Sequence, residues 1–269
     1  MKALILAAGY ATRLHPLTFN TPKSLLKIKG KAILDYIVEK IERTGMIKET
    51  FIISNDKFYP QFEDWLMTKT NGVLNGMRLI NDRSTSAENR RGAILDIDIA
   101  IEHGKLNDDL LIIAGDNLFD FDLGQFIEFS LENKPYHSIC LYQDNHNDLT
   151  RFGIAQLNGD SQIVAFEEKP AQPKSNLIGT CIYFFPREKL HLIANYLIAG
   201  HQTDTPGSYM SWLTQHDKVY GKVFNGLWFD LGDFDALSHA LINFKHQGEG
   251  TVPAEGRTPA YPIRPGASA

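Results

Sequence analysis

Arg13 and Lys23 are two cations on an otherwise apolar stretch, "LILAAGYATRLHPLTFNTPKSLL", running from Leu4 to Leu26. A buried core needs neither charge, whereas a bound polyanion is served by both. After Leu6 come Ala7, Ala8, Gly9 and Ala11, small enough for backbone N–H groups to close on an anion as in a phosphate-binding nest. The spacing fits neither G-x-G-x-x-G nor G-x-x-x-x-G-K-[ST], so the common dinucleotide and P-loop readings fail. Pro16 and Pro22 stiffen the excursion that carries Lys23 back. From spacing alone, the two cations fit an exposed loop as well as an anion site. Asp116 follows the apolar run "LLIIAG" and Asp230 lies in "LWFDLG", both at expected strand ends, where open α/β sheets bind ligands. Either aspartate alone also reads as a turn or cap residue. Glu168 and Lys169, in "EEKP", form either a charged hairpin end or a polar contact set.

The elements that must position these residues follow from hydrophobic periodicity. Short apolar runs alternate with amphipathic stretches, the order of βα units around a mostly parallel sheet. "KALIL", "TFIISN", "MRLIND" and "DLLIIAGD" read as strands, and the last, continuously apolar, is covered on both faces. "AILDYIVEKIERTG" places Ile33, Leu34, Ile37, Val38 and Ile41 on one helical face and ends at Gly45. "FYPQFEDWLMTKT" reads as a second helix. "GAILDIDIAIEHG" fits a strand through Ile97, Ile99 and Ile101 and a helix through Ile94, Ile97 and Ile101; its length favours the helix. The second half is mixed. It has the strands "HSICLYQ" and "LIGTCIYFFP", a hairpin turning at "NGD", the helices "LHLIANYLIAG" and "MSWLTQH", and two strands in "VYGKVFNGLWFDLG".

With 269 residues, 43% of them hydrophobic, the chain can bury a sizeable core. Its 27 Lys+Arg against 32 Asp+Glu, net −5, argue against a nucleic-acid or anionic-membrane binder, so any anion site is local. Cys140 and Cys181 lie in apolar runs and are expected to be free thiols. No run reaches the roughly 18 apolar residues of a membrane span, and a cytoplasmic protein is expected. The Gly- and Pro-rich end, 246–269, reads as a disordered tail or expression remnant outside the fold. The histidines show no metal-ligand spacing.

The ordered set "LAAGYATRLHPLT", "PKSLL", "AGDNLF", "FGIAQL…VAFEEKP…KSN" and "LWFDLGD" resembles the signature of sugar-1-phosphate nucleotidylyltransferases over about Met1 to Lys245. Among them it is most similar to glucose-1-phosphate thymidylyltransferases. The resemblance implies a Rossmann-like α/β fold, a mixed, mostly parallel sheet flanked by helices. It implies a nucleotide-binding part at about 1–118 and a sugar-binding part at about 119–245. The implied reaction joins a nucleoside triphosphate to a sugar 1-phosphate and releases pyrophosphate. Two polyanions must meet, and unit charges about 4 Å apart repel by roughly 4 kcal/mol at an effective dielectric of about 20. By resemblance Arg13 holds the triphosphate and Lys23 the transferring phosphate. Asp116 and Asp230 hold Mg²⁺, which takes one or two carboxylates plus phosphates. Leu6, Ala7, Ala8, Gly9, Asn81 and Gly92 complete the nucleotide site. Gly153, Glu168, Lys169 and Thr180 line the sugar site, with Lys169 reaching the sugar phosphate and Trp228 packing beside it. Dimers or tetramers are implied as well.

Two departures stand out. "AENRRGAILD" replaces the thymidylyltransferase pattern P-x-G-L-A-Q, which leaves the base open and lets Arg90 or Arg91 add phosphate contacts. Ala8 and Ala11 replace glycines, which requires negative φ angles there. Tyr10 packs on the nucleotide or faces solvent. A catalytically silent nucleotide-sugar-binding homologue has no need of the two aspartates. A cytidylyltransferase for phosphocholine needs an aromatic cage that is not evident near "EEKP".

Overall fold

The computed structural model describes residues 1–69, 76–145 and 148–244; the expected tail lies outside the described residues. The first half contains β1 (Lys2–Leu6), β2 (Lys27–Ile28), β3 (Lys31–Ala32), α1 (Ile33–Thr44), β4 (Glu49–Ser54), α2 (Tyr59–Lys69), β5 (Met77–Asn81), α3 (Ala93–His103) and β6 (Leu110–Ala114). Then follow β7 (Asn117–Phe119), α4 (Leu123–Glu132), β8 (His137–Gln143), β9 (Gly153–Leu157), β10 (Ile163–Glu168) and β11 (Leu177–Phe185). The chain continues through α5 (His191–Ile198), α6 (Pro206–His216), β12 (Val219–Phe224), β13 (Trp228–Asp230) and α7 (Phe234–Asn243).

Nine strands form one mixed sheet in the order β10-β9-β11-β6-β1-β4-β5, with β8 on β11 and β12 on β8. Strands β6, β1, β4 and β5 are parallel; β11 enters antiparallel to β6. Successive side chains of a strand point to opposite faces, and both faces are covered. Ala3, Ile5, Ile52, Leu111 and Ile113 pack with α1, α2, α4 and α7, while Leu4, Phe51, Ile53, Leu110 and Ile112 pack with α3, α5 and α6. Each fully buried Leu or Ile contributes about 1.5–3 kcal/mol. This three-layer arrangement is the expected α/β fold.

The ambiguous isoleucine segment is helix α3, because Ile94, Ile97 and Ala100 share its buried face. Helices α4 and α7 go beyond the elements read from the sequence. Their start signals are Asp122 and Asp233, whose side chains accept from the N–H groups of Gly124 and Ala236. The last two expected strands, β12 and β13, do not pair with each other: β12 joins the large sheet, and β13 pairs antiparallel with β7. Both cysteines are free. No helix among the described residues is long and apolar enough to cross a membrane.

Candidate active site

The opening turn starts one residue later than its composition suggests. The Leu6 carbonyl accepts from Gly115 N–H (2.8 Å), and Ala7 N–H donates to the Ile53 carbonyl (2.9 Å), so both residues extend the β1 pairing. Among the described residues, the amides of Ala8 and Gly9 make no hydrogen bond, and a Cβ on Gly9 would meet nothing within 4 Å. Ala11 corrects the expectation of negative φ: it is left-handed, with φ 47° and ψ 44°. That conformation costs an L residue roughly 1–2 kcal/mol. It is held by bonds to the Ala11 carbonyl from the Thr18 hydroxyl (2.8 Å) and Leu14 N–H (3.0 Å), which turn the chain toward Arg13. Tyr10 is buried rather than solvent-facing, its hydroxyl 3.3 Å from Ser84 Oγ.

Asp116 and Asp230 are brought together by the β7–β13 ladder, which pairs Asp230 with Asn117, the residue after Asp116. Leu231 N–H closes the arrangement on the Asp116 carbonyl at 3.3 Å. Asn117 is buried; its Nδ2 donates to the Thr180 carbonyl, and its Oδ1 accepts from Trp228 Nε1, each at 2.7 Å. It therefore ties β7 to β11 and β13. Lys23 Nζ lies 2.5 Å from Asp116 Oδ2. The Lys23–Leu25 turn reaches that position only because residue 115 is glycine: a Cβ there would stand 2.6 Å from Ser24 Oγ and 2.9 Å from the Leu6 carbonyl. Arg13 Nη2 and both Asp230 carboxylate oxygens each stand 3.6 Å from where a Cβ on Gly232 would be. Burial, and then the charge of Asp116, push the Asp230 carboxyl up to about 6, against the opposing charges of Lys23, Arg13 and Arg151.

Two half-buried carboxylates that repel each other suit a divalent cation. Among the described residues no group of three or more His, Cys, Asp or Glu forms a metal cage. A hard ion at Asp116 and Asp230 would complete its shell with water and phosphate oxygens, as Mg²⁺ does.

On the other side of the cluster, Glu168 pairs in register with Gly153 across the β9–β10 hairpin, and Lys169 N–H donates to the Phe152 carbonyl (3.0 Å). Burial raises the Glu168 carboxyl, opposed by the Lys169 ammonium 3.8 Å away. Thr180, expected in the sugar pocket, is instead fully buried and donates to the Cys140 carbonyl (2.9 Å). An irregularity between Gly179 and Tyr183 puts Cys181 at φ 57°, and its thiol lies in the field of Asp116, Asp230 and Glu168. Glu168 packs on Gly207 of α6, where a Cβ would come 1.7 Å from Glu168 Oε2. Gly207→Ala is therefore expected to fold, since only a side-chain end must move, but to displace this carboxylate and raise about 10-fold the KM for the sugar substrate that the resemblance implies. Steady-state kinetics check this, and an unchanged KM contradicts it.

The base-side expectations fare differently. The Asn81 carboxamide is committed to a turn, donating to Asp56 Oδ1 (2.7 Å) and accepting from Arg83 N–H (2.8 Å). Gly92 has φ 85°, and a Cβ there would stand 2.7 Å from the Thr203 backbone. Thr203 covers this helix start, its carbonyl taking Ile94 N–H at 3.0 Å. Arg90 forks onto Asp204 (2.6 and 3.2 Å) and Arg91 Nε donates to the Asp82 carbonyl (3.2 Å), so each of the two arginines weighed for an added phosphate contact holds a protein group here.

Asp82 and Asp96 are both buried and act on each other's charge, and Ser84 connects Asp82 to Tyr10. Burial and then the Asp82 charge push Asp96 up to about 8. A carboxyl raised in the folded state stabilises the fold while protonated, below its ordinary range, and that stability is lost as pH rises through about 8. Wild-type melting temperature should thus fall between about pH 5 and 9, and Asp96→Asn should remove most of that fall and melt higher at pH 9. Calorimetry across pH tests this; a lower melting temperature for the variant at pH 9 contradicts it.

Cys181 was read from the sequence only as a free thiol, and Arg151, Asp233, Asn117 and Gly207 were not singled out. Only Asp233, directly before an apolar periodic run, carried a readable signal, that of a helix cap.

The fold is of the nucleotide-diphospho-sugar transferase type, and the cation–carboxylate cluster lies at the ends of its strands. A model of the nucleotidyl transferase family matches residues 2–247. The chain belongs to that family, and the resemblance to sugar-1-phosphate nucleotidylyltransferases holds. It is similar to the bifunctional protein GlmU of Methanocaldococcus jannaschii, 29% identical over 237 residues, covering 86% of this chain and 51% of the relative. The bifunctional protein GlmU of Methanococcus aeolicus is 27% identical over 256 residues, 94% and 57% of the two chains. The chain thus spans about half the length of these relatives. A Bacillus anthracis crystal structure, described as a glucose-1-phosphate thymidylyltransferase in complex with a sucrose, shares the fold at a TM-score of 0.77. It is 24% identical, with 92% of this chain and 98% of that one covered.

Proposed function

We propose that this protein joins a nucleoside triphosphate, dTTP or UTP being favoured, to a sugar 1-phosphate, glucose 1-phosphate being favoured, and releases pyrophosphate. The observation that carries this reading is the meeting of Arg13, Lys23, Asp116 and Asp230 at the ends of β6 and β13. The phosphate oxygen of the sugar attacks the α-phosphorus; one P–O bond forms and the bond to the pyrophosphate leaving group breaks. Arg13 holds the triphosphate. Lys23, beside Asp116, supports the charge that grows on the transferring phosphate. Glu168 accepts sugar hydroxyls, Lys169 reaches the sugar phosphate, and the Ala8 and Gly9 amides receive nucleotide oxygens. Asp116 and Asp230 would hold Mg²⁺, which when bound would supply charge compensation for the phosphates. The remaining contribution is positioning, with no covalent enzyme intermediate.

The division into a nucleotide part at about 1–118 and a sugar part at about 119–245 belongs to this proposal. Two free cysteines suit a reducing cytoplasm. The test is a pyrophosphate-release screen with Mg²⁺ across five nucleoside triphosphates and several sugar 1-phosphates. Turnover with a pyrimidine triphosphate is expected. Silence in every combination, with tight nucleotide-sugar binding, overturns the reading in favour of a regulatory homologue.

A further inference from the structure

The geometry points to Arg151 as a further phosphate-binding cation beside Arg13, Lys23 and Lys169, one that leaves Asp233 to take the phosphate of the sugar substrate. The inference rests on the proposed sugar-phosphate reaction. Arg151 ends a short helical turn, Leu149–Arg151, and the next two residues are Phe152 and Gly153. Phe152 accepts the Lys169 N–H (3.0 Å) and Gly153 pairs with Glu168, so Arg151 belongs to the edge that carries the expected sugar contacts. Its side chain is 51% exposed, and Nη2 forms an ion pair with Asp233 Oδ2. Asp233 starts α7 three residues after Asp230 and caps it through the other oxygen, Oδ1, to Ala236 N–H at 2.9 Å. The Arg151 charge is also felt at Asp230, and the Arg13 charge at both aspartates. The pair therefore stands where the sugar-side edge meets the carboxylate cluster.

Neither partner needs the other for the fold. The cap is made by the oxygen that Arg151 does not use, and an exposed ion pair contributes little because water and salt screen it. A phosphate dianion is the stronger partner. It offers the planar guanidinium two acceptor oxygens at once, where Asp233 offers one. A sugar phosphate seated along the Phe152–Lys169 edge and directed at Asp230 meets this guanidinium, and the exchange frees Asp233 to water without loosening α7.

The test compares Arg151→Gln, Arg151→Lys and Asp233→Asn with wild type. Glucose 1-phosphate binding is measured by titration calorimetry, and KM for each substrate is measured by pyrophosphate release. Losing one charge-assisted contact should raise the Kd and KM for the sugar phosphate about 10- to 100-fold in Arg151→Gln, with the nucleotide KM within about 2-fold. Arg151→Lys should recover part of the loss. Asp233→Asn keeps a capping side chain and removes the competitor, so its sugar-phosphate KM should be unchanged or lower. Equal weakening in Arg151→Gln and Asp233→Asn would mean that the pair only braces the loop, and overturns the inference. A rise confined to the nucleotide KM overturns it too. If wild type neither binds glucose 1-phosphate nor releases pyrophosphate, the functional reading fails and the assignment with it.

Discussion

Lys23→Ala lowers kcat by on the order of 10² or more, with the fold intact, by analogy with removing one transition-state donor. The ammonium is held 2.5 Å from Asp116, at the carboxylate expected to carry the metal, so it stands where two phosphates must approach. Negative charge accumulates on the transferring phosphate only as the reaction proceeds, and a contact that strengthens at that point changes kcat more than KM. Only the side chain is removed. The turn bearing Lys23 stays in place through the bonds from Leu25 N–H to the Pro22 carbonyl and from Leu26 N–H to the Lys23 carbonyl. Pyrophosphate release at saturating substrates measures the effect. Near-normal turnover would count against the proposed chemistry.

Asp230→Asn separates function from stability more sharply. The amide keeps the shape and the β13–β7 ladder but loses one of the two anionic ligands proposed for the metal. Mn²⁺ affinity of the substrate-free protein should fall on the order of 10²-fold, and turnover about 10³-fold, as expected for several kcal/mol of lost charge stabilisation. The melting temperature at neutral pH should hold or rise, because the side chain is partly desolvated and repelled by Asp116, and a neutral amide escapes both penalties. Electron paramagnetic resonance of bound Mn²⁺ and calorimetry give the two readouts. Unchanged Mn²⁺ uptake would remove Asp230 from the metal pair, whereas a lower melting temperature would assign it a structural role.

These effects could be anticipated because the decisive pieces are local in sequence. Arg13 and Lys23 both follow the small-residue turn after β1, and Asp116 and Asp230 end apolar runs, so pattern alone put them near strand ends. For Asn81 and Gly92 the sequence supplied position but not surroundings: Asp56 and Thr203, distant in sequence, stand beside them. The arginines at 90 and 91 met the same outcome through Asp204 and Asp82.

By itself the sequence determined the order of strands and helices, the α/β class and the four charged residues of the cluster. Hydrophobic periodicity and turn chemistry act over a few residues and can be read without knowing what packs where. Tertiary structure alone decided that Cys181 rather than Thr180 faces the carboxylates, since one irregularity in β11 sets which side each residue takes. It also decided that Arg151 meets Asp233 across 82 positions of chain, and that Glu168 rests on Gly207. Such contacts depend on the closure of distant segments, and no local pattern encodes the direction in which a charged side chain will find its partner.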